Sequence, residues 1–132
     1  MTNYVFSVQL DKPIEEAIET LKATLMKNHL GIVSDVNVAA IVKTKLEQDM
    51  AAYRILGACN PKMAKTMIDE MPEVGALLPC TIIAREVAGK TVFDFMDPLT
   101  VLGIANNDII NTVALEATEQ LKAVVNDIKN IE

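Results

Sequence analysis

The two cysteines are the side chains of this sequence with the widest range of chemistry. Cys59 lies in the run GACNP over 57–61, and Cys80 ends the run LLPC over 77–80, so each stands near a proline. Two thiols can bind a soft metal ion, cycle as a disulfide, or pack as small apolar groups. Their spacing is not Cys-x-x-Cys, so neither the zinc nor the thioredoxin signature applies. The residues by themselves leave all three uses open.

Cys59 directly precedes a predicted helix, in which Asn60 is the capping residue and Pro61 is the first helical residue. The free N–H groups and partial positive charge of a helix N-terminus favour a thiolate at Cys59 and an anion beside it. Cys80 starts the next predicted strand, and the thiols are neighbours if the two strands run antiparallel side by side. The simpler interpretation, which we favour, is that both cysteines pack as buried apolar residues.

Two arginines provide a second feature of the predicted sheet. Arg54 and Arg85 share a predicted polar cluster with Asp35, Asp94 and Glu86. They either form paired charges at the surface or clamp a small anion through charge-assisted hydrogen bonds.

The candidate ligand-binding residues are therefore Cys59, Asn60, Cys80, Arg54 and Arg85. In the alternative, Cys59 and Cys80 are metal ligands.

No standard catalytic constellation is present in the sequence. It holds no G-x-G-x-x-G, Walker, H-E-x-x-H or G-x-S-x-G motif. The single histidine, His29, is predicted at the surface near a helix end, so a Cys–His nucleophile would have to recruit it. Met63, Met67 and Met71 share a helix face by their spacing, which favours core packing over copper binding. We predict no catalytic residue and no cofactor, and we favour a protein that is not an enzyme.

Length and charge restrict the classes of function. The 132 residues predict one domain over 1–132, and the 51% of hydrophobic residues suffice for one core. The formal net charge of -6 argues against binding nucleic acid or an anionic membrane. No apolar run is long enough to span a membrane, and the N-terminus has no signal-peptide pattern. We expect a cytoplasmic protein, whose thiols would be mostly reduced.

The hydrophobic pattern predicts the element order βαβαβαββα. Predicted strands are 4–10, 32–38, 52–59, 80–87 and 91–96, and predicted helices are about 13–29, 39–48, 61–71 and 107–129. The stretch 98–104 is either irregular or a helical turn. The last two strands form a hairpin through Ala88-Gly89-Lys90. This order indicates an α+β fold with a mixed or antiparallel sheet of about five strands and a long C-terminal helix.

The sheet face away from the long helix is predicted to mix polar and apolar side chains. Its predicted residues are Ser7, Gln9, Asp35, Asn37, Arg54, Arg85, Asp94, Val5, Leu56, Ile83, Val92 and Met96. Such a face is too apolar to remain in water, so either the short helices or a second subunit covers it. We favour a homodimer, since two-fold self-association is the commonest soluble assembly.

Three stretches together resemble a known family, the domain of unknown function 302. They are YRILGACNP over 53–61, LLPC over 77–80 and Asp97-Pro98, and SDVNV over 34–38 fits the same pattern. The resemblance spans nearly the whole chain and is to the branch that carries both cysteines, although Thr81 stands where that branch often has asparagine. It implies an α+β fold with a curved sheet, similar to the TATA-binding-protein architecture, and implies no established activity. Nucleic-acid binding does not follow from such a fold.

A second branch of that family has the Asn-Pro, Leu-Pro and Asp-Pro elements without the thiols, so the fold itself does not require cysteine chemistry. We therefore predict a homodimeric domain that binds a small ligand, such as a small anion, or a partner protein near Cys59 and Cys80. The alternative is a thiol-dependent redox or soft-metal-binding protein that uses the same two residues.

Overall fold

A computed structural model describes residues 3–131 of the chain. The strands are β1 (Val5–Leu10), β2 (Gly31–Asn37), β3 (Tyr53–Cys59), β4 (Cys80–Val87) and β5 (Lys90–Met96). The α-helices are α1 (Ile14–Lys27), α2 (Val38–Leu46), α3 (Pro61–Glu70), α4 (Pro98–Leu102) and α5 (Asp108–Lys129). Two short 3-10 helices lie at Pro72–Leu77 and Gly103–Ala105. The predicted α+β fold, with its long C-terminal helix, is confirmed, and the stretch 98–104 is helical.

The five strands form one sheet in the order β1-β5-β4-β3-β2, and every neighbouring pair is antiparallel. The mixed sheet that the sequence allowed is therefore not formed. The hairpin between β4 and β5 turns at Ala88 and Gly89, both of which have positive φ angles. Between β3 and β4 the chain makes α3 and a 3-10 helix and then returns beside β3, so that Ala58 lies opposite Cys80.

One face of the sheet carries the hydrophobic core. Helices α1 and α5 pack on this face, because each has an apolar stripe at helical spacing. Fully buried side chains of the sheet face them: Leu10, Leu56, Ile82, Phe93 and Phe95. A second cluster joins α3, α4 and α5, and it contains Met63, Met67, Leu102 and Ile110. The methionine face of α3 therefore packs in the core, as predicted.

The opposite face of the sheet, which we call the open face, has only Gly57 buried among its strand residues. Val36, Ile55 and Ile83 form one row across β2, β3 and β4. Its other residues include Val5, Ser7, Gln9, Tyr53, Arg85, Val92, Asp94 and Met96.

The prediction placed four residues on the wrong face. Leu56 pairs with Ile82 and is fully buried in the core, so it does not lie on the open face. Arg54 is two residues before Leu56, so it lies on the same side of the sheet. Their cross-strand partners on β2, Asn37 opposite Arg54 and Asp35 opposite Leu56, also lie on that side. The observed register of β3 therefore places all four residues on the side of the core, opposite to the predicted side.

Candidate functional site

The two cysteines lie on neighbouring strands but do not form a close pair. Ala58, not Cys59, lies directly opposite Cys80, so the two cysteines are not cross-strand partners, although both line one small cavity. Both thiols are free. The antiparallel arrangement that could make the thiols neighbours is present, but its register pairs Cys80 with Ala58 and not with Cys59.

Burial disfavours the thiolate at both cysteines. Burial, with a smaller contribution from the nearby Cys59, raises the pKa of Cys80 to about 11. Burial also raises the pKa of Cys59. The helix N-terminus would favour a thiolate at Cys59, but burial acts against it, so the raised pKa values favour the neutral thiol at both cysteines.

Asn60 caps α3 and so occupies the anion position at its N-terminus. Its Oδ1 accepts hydrogen bonds from the backbone N–H groups of Lys62 (3.0 Å) and Met63 (3.2 Å), and Pro61 has no N–H to offer. Its Nδ2 donates to the backbone carbonyl of His29 at 3.1 Å, which ties α3 to the end of α1. An anion at this helix end would have to displace the Asn60 side chain.

An open groove of about 650 Å³ lies beside Cys59, where the end of α1 meets β2. The chain turns out of α1 at His29, whose φ is 65°. Most of the lining is apolar, and it includes two exposed side chains, Met26 (73% exposed) and Val33 (61% exposed). Lys22 and His29 are the lining residues that can carry positive charge. We call this site the α1–β2 groove.

A small, partly open cavity of about 30 Å³ adjoins the α1–β2 groove. Leu30 and Cys59 line both spaces, so they separate the groove from the cavity. The other lining residues come from α3, the Leu78-Pro79-Cys80 segment and the helices beneath, and nearly all are apolar. The cavity has room for about one or two waters, not for a ligand.

The sequence predicted Cys59 at this site but not Lys22, Met26 or Val33. The sequence does carry a signal for Met26 and Val33, because each is an apolar residue outside the apolar stripe of α1 or the apolar alternation of β2. Their meeting in one groove depends on how α1 packs against β2.

Arg54 belongs to a separate ion-pair cluster at the other end of β3. Its Nε and Nη2 donate to the two Asp35 carboxylate oxygens at 2.9 Å and 2.5 Å, and its Nη1 donates to Glu15 at 2.5 Å. The hydrogen bond from Arg54 lowers the pKa of Asp35, against the effect of burial. Arg54 is five residues from Cys59, which is about 17 Å along a strand.

Arg85 lies on the open face in a third position. Its Nε donates to an Asp94 carboxylate oxygen at 2.6 Å, and the Ser7 hydroxyl donates to the other oxygen, also at 2.6 Å. Burial raises the pKa of Asp94, but the hydrogen bonds from Arg85 and Ser7 outweigh it, so the pKa is lowered overall. Arg54 and Arg85 point to opposite faces of the sheet, so they do not form one clamp. The structure brings together only Cys59, Asn60 and Cys80 of the predicted set.

Residues 3–131 contain no candidate metal cluster and no candidate membrane span. No group of three or more His, Cys, Asp or Glu side chains in this part of the chain could hold a metal ion. None of the helices over the same residues is long and apolar enough to cross a membrane.

The chain is an α+β domain built on an antiparallel five-stranded sheet, with the α1–β2 groove at one end of α1. The family described as "Domain of unknown function DUF302" matches residues 6–128. The chain belongs to the DUF302 family, as its sequence resemblance predicted. No curated protein matches the chain.

Among the solved structures that match is one with the same fold. It is the crystal structure of an uncharacterized conserved protein DUF302 from Bacillus stearothermophilus, with a TM-score of 0.86 and 23% sequence identity. The match covers 95% of this chain and 98% of that one.

Proposed function

We propose that this protein is a non-catalytic domain that binds a small ligand in the α1–β2 groove. The observation that carries the proposal is the groove itself, whose volume of about 650 Å³ is in the range of small-molecule sites. Exposed Met26 and Val33 within it are apolar surface that a ligand would remove from water.

The lining favours a ligand with an apolar body and one anionic group. Met26, Ile32 and Val33 offer apolar contact, while Lys22 and His29 offer donors at the same groove. These donors replace the α3 N-terminus as the position for an anion, because Asn60 already accepts from Lys62 and Met63 there. A medium-chain carboxylate has this chemistry.

The protonation of the two cysteines favours ligand binding over thiol chemistry as the function of this protein. Cys59 and Cys80 line one cavity with Met63 and Met67, which is the observation in favour of a redox or soft-metal function. The raised pKa values of both thiols oppose it, because the thiolate is the nucleophile and the metal ligand.

We further propose that the protein is a cytoplasmic homodimer. Free cysteines are compatible with a reducing compartment. The open face supports self-association, since the row Val36, Ile55 and Ile83 is not covered by α1 or α5.

Decanoate and the fluorescent probe 8-anilinonaphthalene-1-sulfonate test the groove. Met26→Glu places a negative charge in the apolar lining, and we expect it to weaken binding of either probe at least tenfold. Ile104→Glu is the matched control, since Ile104 is 74% exposed and Met26 is 73% exposed, and Ile104 does not line the groove.

NMR chemical-shift changes on adding decanoate should concentrate at 22–33 and 59–61. Equal affinity of the two variants, or shifts centred elsewhere in the chain, would show that the groove is not the binding site. Unaltered circular dichroism of both variants confirms that each is folded.

A further inference from the structure

Strand β1 is one of the two edges of the sheet, and it lacks the features that usually protect an edge. Among residues 3–131, no strand lies on its outer side. Its sequence VFSVQL contains no charge and no proline, and its register with β5 is regular along its whole length. The other edge differs, because an irregularity between Ile32 and Ser34 interrupts β2. An uncharged, regular edge is a template on which another extended chain can pair.

The backbone hydrogen bonds of β1 determine which of its groups point outward. The Asp97 N–H donates to the Tyr4 carbonyl at 2.8 Å, so Tyr4 bonds toward β5. Bonding residues alternate along an antiparallel strand, so Val5, Ser7 and Gln9 direct their N–H and C=O groups away from β5. The outer edge of β1 therefore offers a row of backbone donors and acceptors.

A groove of about 290 Å³ lies between this edge and helix α5, and we call it the β1–α5 groove. Its lining residues are Phe6, Ser7, Lys122, Val125, Asn126 and Lys129. The Ser7 hydroxyl donates to Asp94 on the open face, so Ser7 presents its main chain to the groove. An extended chain lying here would bond to the outer edge of β1 and contact α5 with alternate side chains.

The charges of the β1–α5 groove favour an acidic ligand. Lys122 and Lys129 are seven residues apart on α5, so they share one side of the helix, and both are exposed. The described residues that line the groove include no acidic one. Asp127 accepts a hydrogen bond from Asn28 at the end of α1, and Glu119, one turn before Lys122, lies outside the lining. The groove is thus a local positive site in a chain of net charge -6, and complementarity favours a negative partner.

The same lysines argue against a second copy of this chain at this edge. A two-fold axis would place β1 antiparallel to the β1 of the other protomer and bring the two α5 helices side by side. Lys122 and Lys129 would then approach their own copies, and like charges that meet at an interface are costly. A segment of another protein suits this edge better.

We propose that the β1–α5 groove binds an extended, acidic segment of a partner protein as an additional strand of the sheet. The backbone of the segment pairs with Val5, Ser7 and Gln9, and its carboxylates lie against Lys122 and Lys129. This site is at the opposite edge of the sheet from the α1–β2 groove, so it is separate from the proposed ligand site.

Fluorescence anisotropy with a labelled short peptide of alternating glutamate and valine tests the site. We expect wild-type protein to bind this peptide about tenfold more tightly than the same peptide with lysine in place of glutamate. Methylating the backbone nitrogens of the glutamates, or those of the valines, removes the donors from one edge of the peptide or from the other. Only one of the two methylated peptides should therefore bind more weakly, by about tenfold.

Two matched pairs of protein variants separate backbone pairing from charge. Ser7→Pro removes the outward N–H and keeps the bonds to β5, while Ser7→Ala loses the same hydroxyl and keeps that N–H. We expect Ser7→Pro to bind the acidic peptide about tenfold more weakly than Ser7→Ala. Lys122→Glu with Lys129→Glu should also weaken binding about tenfold, whereas Lys43→Glu with Lys45→Glu, the same charge change on α2, should not.

Each outcome supports or overturns the proposal. Equal binding of the parent and both methylated peptides, or of the two Ser7 variants, would show that the peptide is not added as a strand. Equal binding of the acidic and lysine peptides would exclude selection by charge. Absence of binding at about 1 mM peptide would exclude the site altogether.

Sedimentation of the wild type and the Ser7 variants tests the other occupant. If wild type dimerises and Ser7→Pro alone dissociates it, a second copy occupies β1 and the acidic partner is wrong. If Ser7→Pro does not fold by circular dichroism, the methylated peptides and the lysine variants still decide. Decanoate binding to the α1–β2 groove should be the same in all the folded variants.

Discussion

Helices α2 and α3 are built alike at their starts and differ in what holds them. Each follows a strand and begins after an asparagine, Asn37 or Asn60, whose side chain accepts backbone hydrogen bonds from the first turn. They have nine and ten residues. Yet α3 buries Met63 and Met67, whereas α2 buries nothing. The comparison teaches that capping determines where a helix begins and that burial determines what stabilises it.

The two helices also differ in the contacts that tie their first turns to the rest of the chain. Asn60 also donates to the His29 carbonyl, so the start of α3 is tied to the end of α1. Helix α2 lies beside β3, with Val38, Ala39 and Val42 half-buried, and the ion pair between Asp35 and Arg54 is close to its start. Helix α3 is therefore held by buried side chains and a tertiary hydrogen bond, and α2 by half-buried side chains alone.

The largest effect is expected from removing the burial of α3. Met67→Ala deletes a side chain that is only 3% exposed and should lower the free energy of unfolding by about 2 to 4 kcal/mol. Ile41→Ala in α2 truncates a side chain that is 48% exposed, so its cost should be below about 1 kcal/mol. Urea titrations measure both. A loss of more than about 1 kcal/mol for Ile41→Ala would contradict the comparison.

A smaller effect is expected from removing the caps. Asn60→Ala loses two bonds from the first turn of α3 and the bond to His29, so we expect a cost of about 1 to 2 kcal/mol. Asn37→Ala loses one bond, from the Ala40 N–H, and should cost about 0.5 kcal/mol. Thermal melts of the two variants compare them directly, and equal costs would mean that the tertiary bond of Asn60 contributes nothing.

The smallest effect concerns the ion pair at the start of α2. Hydrogen bonding from Arg54 lowers the pKa of Asp35. A carboxyl group whose pKa is lower in the folded than in the unfolded chain stabilises the fold above its unfolded pKa, and this stability is lost as pH falls through the folded pKa. We therefore expect wild type to lose about 1 kcal/mol from this pair as pH drops below about 4.

Asp35→Asn should lack that part of the acid dependence. Amide hydrogen exchange should also quicken in the first turn of α2 and not in α3. Asp94→Asn, which breaks the other Asp–Arg pair of the sheet, is the matched control and should leave α2 unchanged. Parallel pH profiles of wild type and Asp35→Asn would show that the pair does not anchor α2.

Much of the fold could be predicted from the sequence because its signals are local. Asn60-Pro61 indicates a helix start, and the Ala88-Gly89-Lys90 turn indicates a hairpin, wherever the rest of the chain lies. The facing of Leu56 could not be predicted, because a one-residue change of register moves a side chain to the other face. The antiparallel pairing of β3 and β4 also stayed open, since a helix-bearing connection fits either direction.

The candidate site was predicted only in part for a related reason. Cys59 and Asn60 stand at a recognisable strand-to-helix junction. The groove also needs Lys22, Met26 and Val33, which meet only because α1 packs against β2. A local sequence pattern does not predict that packing. The state of the thiols likewise depends on burial, which overrode the helix N-terminus at Cys59.

The position of β1 at the edge of the sheet has a consequence for how the chain folds during synthesis. Its strand partner is β5, so Val5 lies opposite Met96. The ribosome makes β1 first, but Phe6, Val8 and Leu10 have no strand to pair with until β5 has emerged. Such distant pairing is intrinsically slow, because a long loop must close before the contact forms. At this edge of the sheet, a strand translated before the other four is among the last of them to find its neighbour.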